Sequence, residues 1–129
     1  MKYITKLMID EFNMKNIDFM GYYFDKNNAS FHHLIIPRRL GGPEDINNGA
    51  VLNGFTSHPY LHVIESKDLE IFNLITSEMI DENIKRKIDI YNLKKINDLL
   101  SYFEKEHLDD TTKKGKRLIK REFLIREKL

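Results

Sequence analysis

The sequence predicts an α+β fold: an N-terminal helix, a small β core closed by a helix, and a long, mostly helical C-terminal half. Three patterns carry this prediction. Apolar residues recur at helical spacing near the start of the chain and again through its second half. Two β-prone runs, FMGYYF and SFHHLII, are separated by the turn-forming DKNNA. A loop rich in Gly and Asn then leads to a short apolar run and a helix start.

Ile4, Leu7, Met8 and Phe12 predict an amphipathic helix over 3–13 that turns these four residues to the core. Residues 19–24 and 30–36 are expected to pair as a hairpin. Pro37 ends the second strand because it has no N–H to give to a ladder. Loop follows to Gly49, with Gly41-Gly42-Pro43 and Asn47-Asn48-Gly49 as turn residues. Ala50-Val51-Leu52 reads as a short strand. Thr56 and Ser57 suit an N-cap and Pro59 a first turn, so a helix begins at about Ser57 and carries His58 and His62. Residues 68–129 are expected to be helical nearly throughout. Phe72, Ile75 and Met79 make one stripe there, and Ile96, Leu99, Leu100 and Phe103 another. Asp109-Asp110-Thr111-Thr112 breaks the run before a basic helix.

The 129 residues fit one domain with an extension, and a hydrophobic content of 41% supports a modest core. The formal net charge is +1, but it is unevenly spread. Thr111 to Leu129 holds eight basic residues (Lys113, Lys114, Lys116, Arg117, Lys120, Arg121, Arg126, Lys128) against Glu122 and Glu127. That segment is therefore +6 and the remainder −5, a distribution that suggests an anionic partner. Cysteine is absent, which excludes disulfides and thiolate sites, so any metal must be held by His, Asp, Glu or Asn. No apolar run reaches signal-peptide or membrane-span length. A soluble, cytoplasmic protein without membrane contact is expected.

Four of the five histidines fall between residues 31 and 62. His58 and His62 stand at i and i+4, which puts two imidazoles on one helix face within reach of one cation. Taken alone, the pair also fits two unrelated histidines on a half-exposed face. His32 and His33 are adjacent in a predicted strand and so point to opposite faces. One can face a metal while the other does different work, or one can simply be buried and the other exposed. If the helix packs across the hairpin, both pairs converge. Three imidazoles would then hold a cation, and the fourth would act on a water while a loop asparagine fixes its orientation.

The order His32-His33, Pro37, Gly41-Gly42, Asn48, Leu52, His58 and His62 resembles the HNH endonucleases of the ββα-metal (His-Me finger) fold. The likeness is strongest to the type with two histidines on the closing helix, as in colicin-like nuclease domains. It spans about a quarter of the chain and lacks the cysteine zinc knuckle that many HNH proteins carry. The resemblance implies an HNH nuclease-like domain over 1–83, with its motif core at 30–66, followed by a helical extension over 84–129. It implies His33 as general base, His32, His58 and His62 as metal ligands, and Asn48 as the residue orienting the base, with Asn47 the alternative. It also implies phosphodiester hydrolysis in DNA, double-stranded in the first instance, leaving a 5′ phosphate and a 3′ hydroxyl.

One divalent cation is expected. Three imidazoles suit Zn²⁺, Ni²⁺ or Co²⁺ better than Mg²⁺, while the resemblance allows Mg²⁺, Mn²⁺ or Ni²⁺ as working ion. Arg38 and Arg39 are candidate phosphate contacts, as are Lys116, Arg117, Lys120 and Arg121 of the basic segment; a solvated surface would show the same residues. His107, among acids far down a helix, is expected at the surface. A homodimer through the helical half would place two sites on one duplex. Two other readings compete. One is a catalytically inactive, zinc-stabilised module on the same fold that binds nucleic acid or protein. The other is a helical interaction protein with incidental histidines, which leaves the order of Gly-Gly, Asn and the two His pairs unexplained.

Overall fold

The structure, a computed structural model, describes residues 1–107. The expected break at 109–112 and the basic segment, with Lys116, Arg117, Lys120 and Arg121, lie outside the described residues. The chain is a mixed α+β protein. Helix α1 (Tyr3–Glu11) precedes strands β1 (Ala29–His33) and β2 (Gly49–Asn53), and helices α2 (Ser57–Lys67), α3 (Leu69–Lys85) and α4 (Ile90–Glu106) follow. None of the described helices is long and apolar enough to cross a membrane.

The strand pairing differs from the expected one. β1 pairs antiparallel with β2, with Phe31 opposite Val51 and His32 opposite Ala50. Residues 19–24 form no strand; a single bridge, Ile17 to Tyr23, is their only ladder contact among the described residues. Their aromatic density serves burial instead, since Phe19, Tyr22 and Phe24 are all at most 2% exposed. Asp18 makes this possible. One carboxylate oxygen accepts the N–H groups of Met20 and Tyr22, and the other accepts Asn53 N–H and the Ser57 hydroxyl. The acid thus replaces a strand partner and ties the segment to the end of β2 and the start of α2. Gly21, at φ +90°, supplies the left-handed residue that the turn requires.

Burial pushes the Asp18 carboxyl up from 3.8 to about 6, against the opposing hydrogen bonds. A folded pKa above the unfolded one means that this group's stabilisation is complete below pH 3.8 and is lost as pH rises through about 6. The unfolding free energy of the parent minus that of Asp18→Asn should therefore grow on acidification from pH 7.5 to 4. The expected gain is on the order of 3 kcal/mol. Denaturant titrations of both proteins at several pH values check it, and a flat difference would remove Asp18 as the cause.

The helices follow the sequence more closely. In α1, Met8 and Phe12 are buried as expected, but Leu7 is 39% exposed and Thr5 takes its place on the core face. Helix α2 begins at Ser57, the expected position, and buries Tyr60, Leu61 and Ile64. The run after residue 68 is not continuous. Arg86 ends α3 in the left-handed conformation at φ +58°, and Asp89 caps α4 by accepting Tyr91 N–H. Ile75, Met79, Ile96, Leu100 and Phe103 join the strands and α1 in one core cluster that runs from Met8 to Phe103. Position 83, the expected end of the first unit, falls inside α3. His107 is half-buried rather than at the surface, stacked on Phe103 at 4.4 Å with Asp68 3.8 Å away.

Candidate metal centre

Strand alternation turns Ser30 and His32 to one face of β1 and Phe31 and His33 to the other. On the first face lies the start of α2, where His58 and His62 are one helical turn apart. The three rings meet there. Their centroids are 5.1 Å (His32–His58), 5.7 Å (His32–His62) and 5.0 Å (His58–His62) apart. One nitrogen from each lies within 4.8 Å of the others.

The donor set suits a cation. His32 Nδ1 and His58 Nε2 are 3.3 Å apart. Two nitrogens bound at about 2.0–2.1 Å to one tetrahedral ion stand at nearly that separation. His32 is 5% exposed, so a cation held by its Nδ1 would be shielded from water on that side. Burial, helped by the neighbouring imidazoles, pushes His32 down to about 3 and His58 down to about 4. Both rings are therefore neutral at pH 7, the form that ligates.

Two outer partners were not foreseen from sequence. The Ser30 hydroxyl is 2.7 Å from His58 Nδ1, and a Glu65 carboxylate oxygen is 3.2 Å from His62 Nδ1. A carboxylate only accepts, so His62 Nδ1 is the donor of this contact. The Ser30 hydroxyl can accept from His58 Nδ1–H, a tautomer that would leave the Nε2 lone pair, 3.3 Å from His32 Nδ1, for a cation. The signal was present as spacing: Ser30 is two residues before His32 in a strand, and Glu65 is three after His62 in a helix. Ser30→Ala and Glu65→Gln are each expected to weaken Ni²⁺ or Zn²⁺ binding by roughly 10- to 100-fold. Competition titration against a chromophoric chelator measures this, and affinities within twofold of the parent would show that neither contact holds a ligand ring.

His33 lies on the opposite face of β1, edge-on to Phe31 with centroids 5.0 Å apart. It nevertheless borders the same cleft of about 670 Å³ as the three other rings, with Arg38 and Arg39 on the rim. Its pKa is lowered, first by desolvation and further by Lys2 and Arg38, while Glu44 opposes. Arg38 and Arg39 sit exposed in a single 3-10 turn, Arg38–Leu40.

The orienting role expected of Asn48 takes another form. Its side chain bonds to no imidazole. Oδ1 accepts Ile35 and Ile36 N–H, and Nδ2 donates to the carbonyls of Ile36 and Pro43. Its own carbonyl accepts Leu34 N–H. These bonds end β1 after His33, short of the expected residue 36, and hold the chain that carries it. Asn48 therefore fixes backbone, not ring tautomer. Asn47 is exposed and its side chain accepts from Arg86, away from the histidines. Gly42 completes this loop, since a Cβ there would lie 1.9 Å from Ile36 O.

The chain matches no family model, no curated protein and no solved structure. The resemblance to the HNH endonucleases therefore stands on the residue pattern of the sequence alone.

Proposed function

We propose that the protein is a metal-dependent endonuclease of the HNH type that hydrolyses phosphodiester bonds in DNA. The observation that carries this reading is the convergence of His32, His58 and His62 on one point beside a fourth imidazole, His33, that is left out of the cluster but shares its cleft. A purely structural metal site has no use for that fourth ring. A strand–loop–strand–helix order, β1 to α2, also agrees with the ββα-metal core.

In this reading Arg38 and Arg39 hold the phosphate at the rim by charge-assisted hydrogen bonds. His33, neutral at pH 7, takes a proton from the water that attacks phosphorus. The P–O3′ bond breaks and the departing oxygen takes a proton from solvent, leaving a 5′ phosphate and a 3′ hydroxyl. The cation, when bound, supplies neutralisation of the charge that develops on the phosphoryl and departing oxygens. Ser30 and Glu65 hold the ligand rings, and Asn48 holds the strand end at His33.

The test is supercoiled plasmid incubated with the purified protein in Mg²⁺, Mn²⁺, Ni²⁺ or EDTA. Nicked and linear products that need the metal are expected. Stoichiometric metal binding with no cleavage under any ion would overturn the reading in favour of a zinc-stabilised binding module.

A further inference from the structure

The cleft is larger than a cation and a phosphate need, at about 670 Å³. Such a volume falls in the range of pockets that enclose a small organic ligand. Its remaining wall comes from α3, where Leu69, Phe72 and Asn73 line it, and Ile35 joins from the loop after β1. Leu69 is 58% exposed and Ile35 56% exposed, while Phe72 is half-buried with part of its ring packed on the core. Opposite the histidines and arginines the cleft thus carries an apolar surface on α3, with the Asn73 amide and the Thr76 hydroxyl beside it.

We infer that this α3 wall is a subsite for an unpaired nucleobase next to the phosphate being cleaved, so that the preferred substrate is single-stranded or locally opened DNA. The inference rests on the nuclease reading and narrows its substrate. Apolar and aromatic side chains bind bases through their faces. In a duplex both faces of each base are covered by neighbours, and only an unstacked base can present one. The occupant follows from what shares the cleft. A cation held by the three imidazoles, together with the two arginines, would bind a phosphate, and the group attached to a DNA phosphate is a nucleoside. Leu69 and Phe72 begin α3, directly after the helix that carries His58 and His62, so the phosphate site and the apolar wall are joined by one short corner at Asp68.

The test uses the full chain carrying His33→Ala, with Ni²⁺ present so that oligonucleotides bind without being cut. Anisotropy is read for a labelled 12-mer, its blunt duplex, and a 12-mer with 2-aminopurine at successive positions. The single strand should bind at least tenfold tighter than the duplex, with a change in 2-aminopurine emission at one position. Adding Leu69→Ala, an exposed site whose loss leaves the core intact, should weaken single-strand binding by roughly 5- to 100-fold and duplex binding far less. Phe72→Ala, checked by its melting curve, should do the same. Equal affinity for both DNA forms, or equal losses on both, overturns the inference while plasmid cleavage still upholds the nuclease. No binding of either form, with metal bound, overturns both. A Leu69→Ala effect that appears as loss of a dimer in sedimentation, with DNA binding unchanged, assigns the wall to a second copy of the chain and overturns the subsite.

Discussion

His33→Ala is expected to lower the rate of metal-dependent DNA cleavage by about 10²–10⁴-fold while leaving metal affinity unchanged. The separation of the two readouts follows from β1. Adjacent residues face opposite sides, so removing the His33 ring takes nothing from the nitrogens of His32, His58 and His62. The stability cost should be small, because the lost edge contact with Phe31 is worth about 0.5–1.5 kcal/mol. Asn48→Ala is the contrasting variant. It breaks four hydrogen bonds to loop backbone, so its loss of activity should come with a lower melting temperature. Plasmid nicking and thermal melting, read together, distinguish a base from a brace. A His33→Ala protein that cuts as fast as the parent would mean that another group, or a contaminant, activates the water.

What the sequence made legible was local. The start of α2 at Ser57, the helical spacing of His58 and His62, and the opposite facing of His32 and His33 all depend on fixed backbone periods. What it hid was set by long-range partners. The run at 19–24 favours a strand locally because aromatic residues fit strands. The Asp18 carboxylate, 35 residues before Asn53, instead accepts the N–H groups of Met20 and Tyr22 and lets the aromatic rings fill the core. Acidic residues are read as surface by default, so neither Asp18 nor Glu82, both 0% exposed, was visible as a core residue. Burial also raises the Glu82 carboxyl well above its ordinary range. Asn48 meets the backbone of the loop after β1 and no imidazole, since spacing locates a side chain without saying which donor it meets. The break at 86–89 lacks Pro and Gly and depends on Arg86 accepting a left-handed conformation, a choice that no local signal announces.

Saturating Ni²⁺ or Zn²⁺ should raise the melting temperature of the parent, and His62→Ala should abolish most of that shift. An ion that binds only the folded chain stabilises it by about 2.7 kcal/mol at a hundred times its Kd. In a domain of this size that is on the order of 10 °C. His62 is the right ligand to remove. It is exposed, so its loss barely perturbs the metal-free fold, whereas truncating His32 at 5% exposure would open a cavity and confuse the two effects. With two imidazoles left, the fall in affinity should exceed the roughly 10- to 100-fold expected for an outer partner such as Glu65. The series parent, Glu65→Gln, His62→Ala should therefore show a graded loss of metal-induced shift over one nearly constant metal-free melting temperature. If His62→Ala keeps the full shift, the ion binds elsewhere, and the cluster is three packed histidines whose short contacts, including the 3.3 Å between His32 and His58, are ordinary ring hydrogen bonds. If the shift falls as predicted and His33→Ala retains it, the four imidazoles divide into three that bind and one that is free to react.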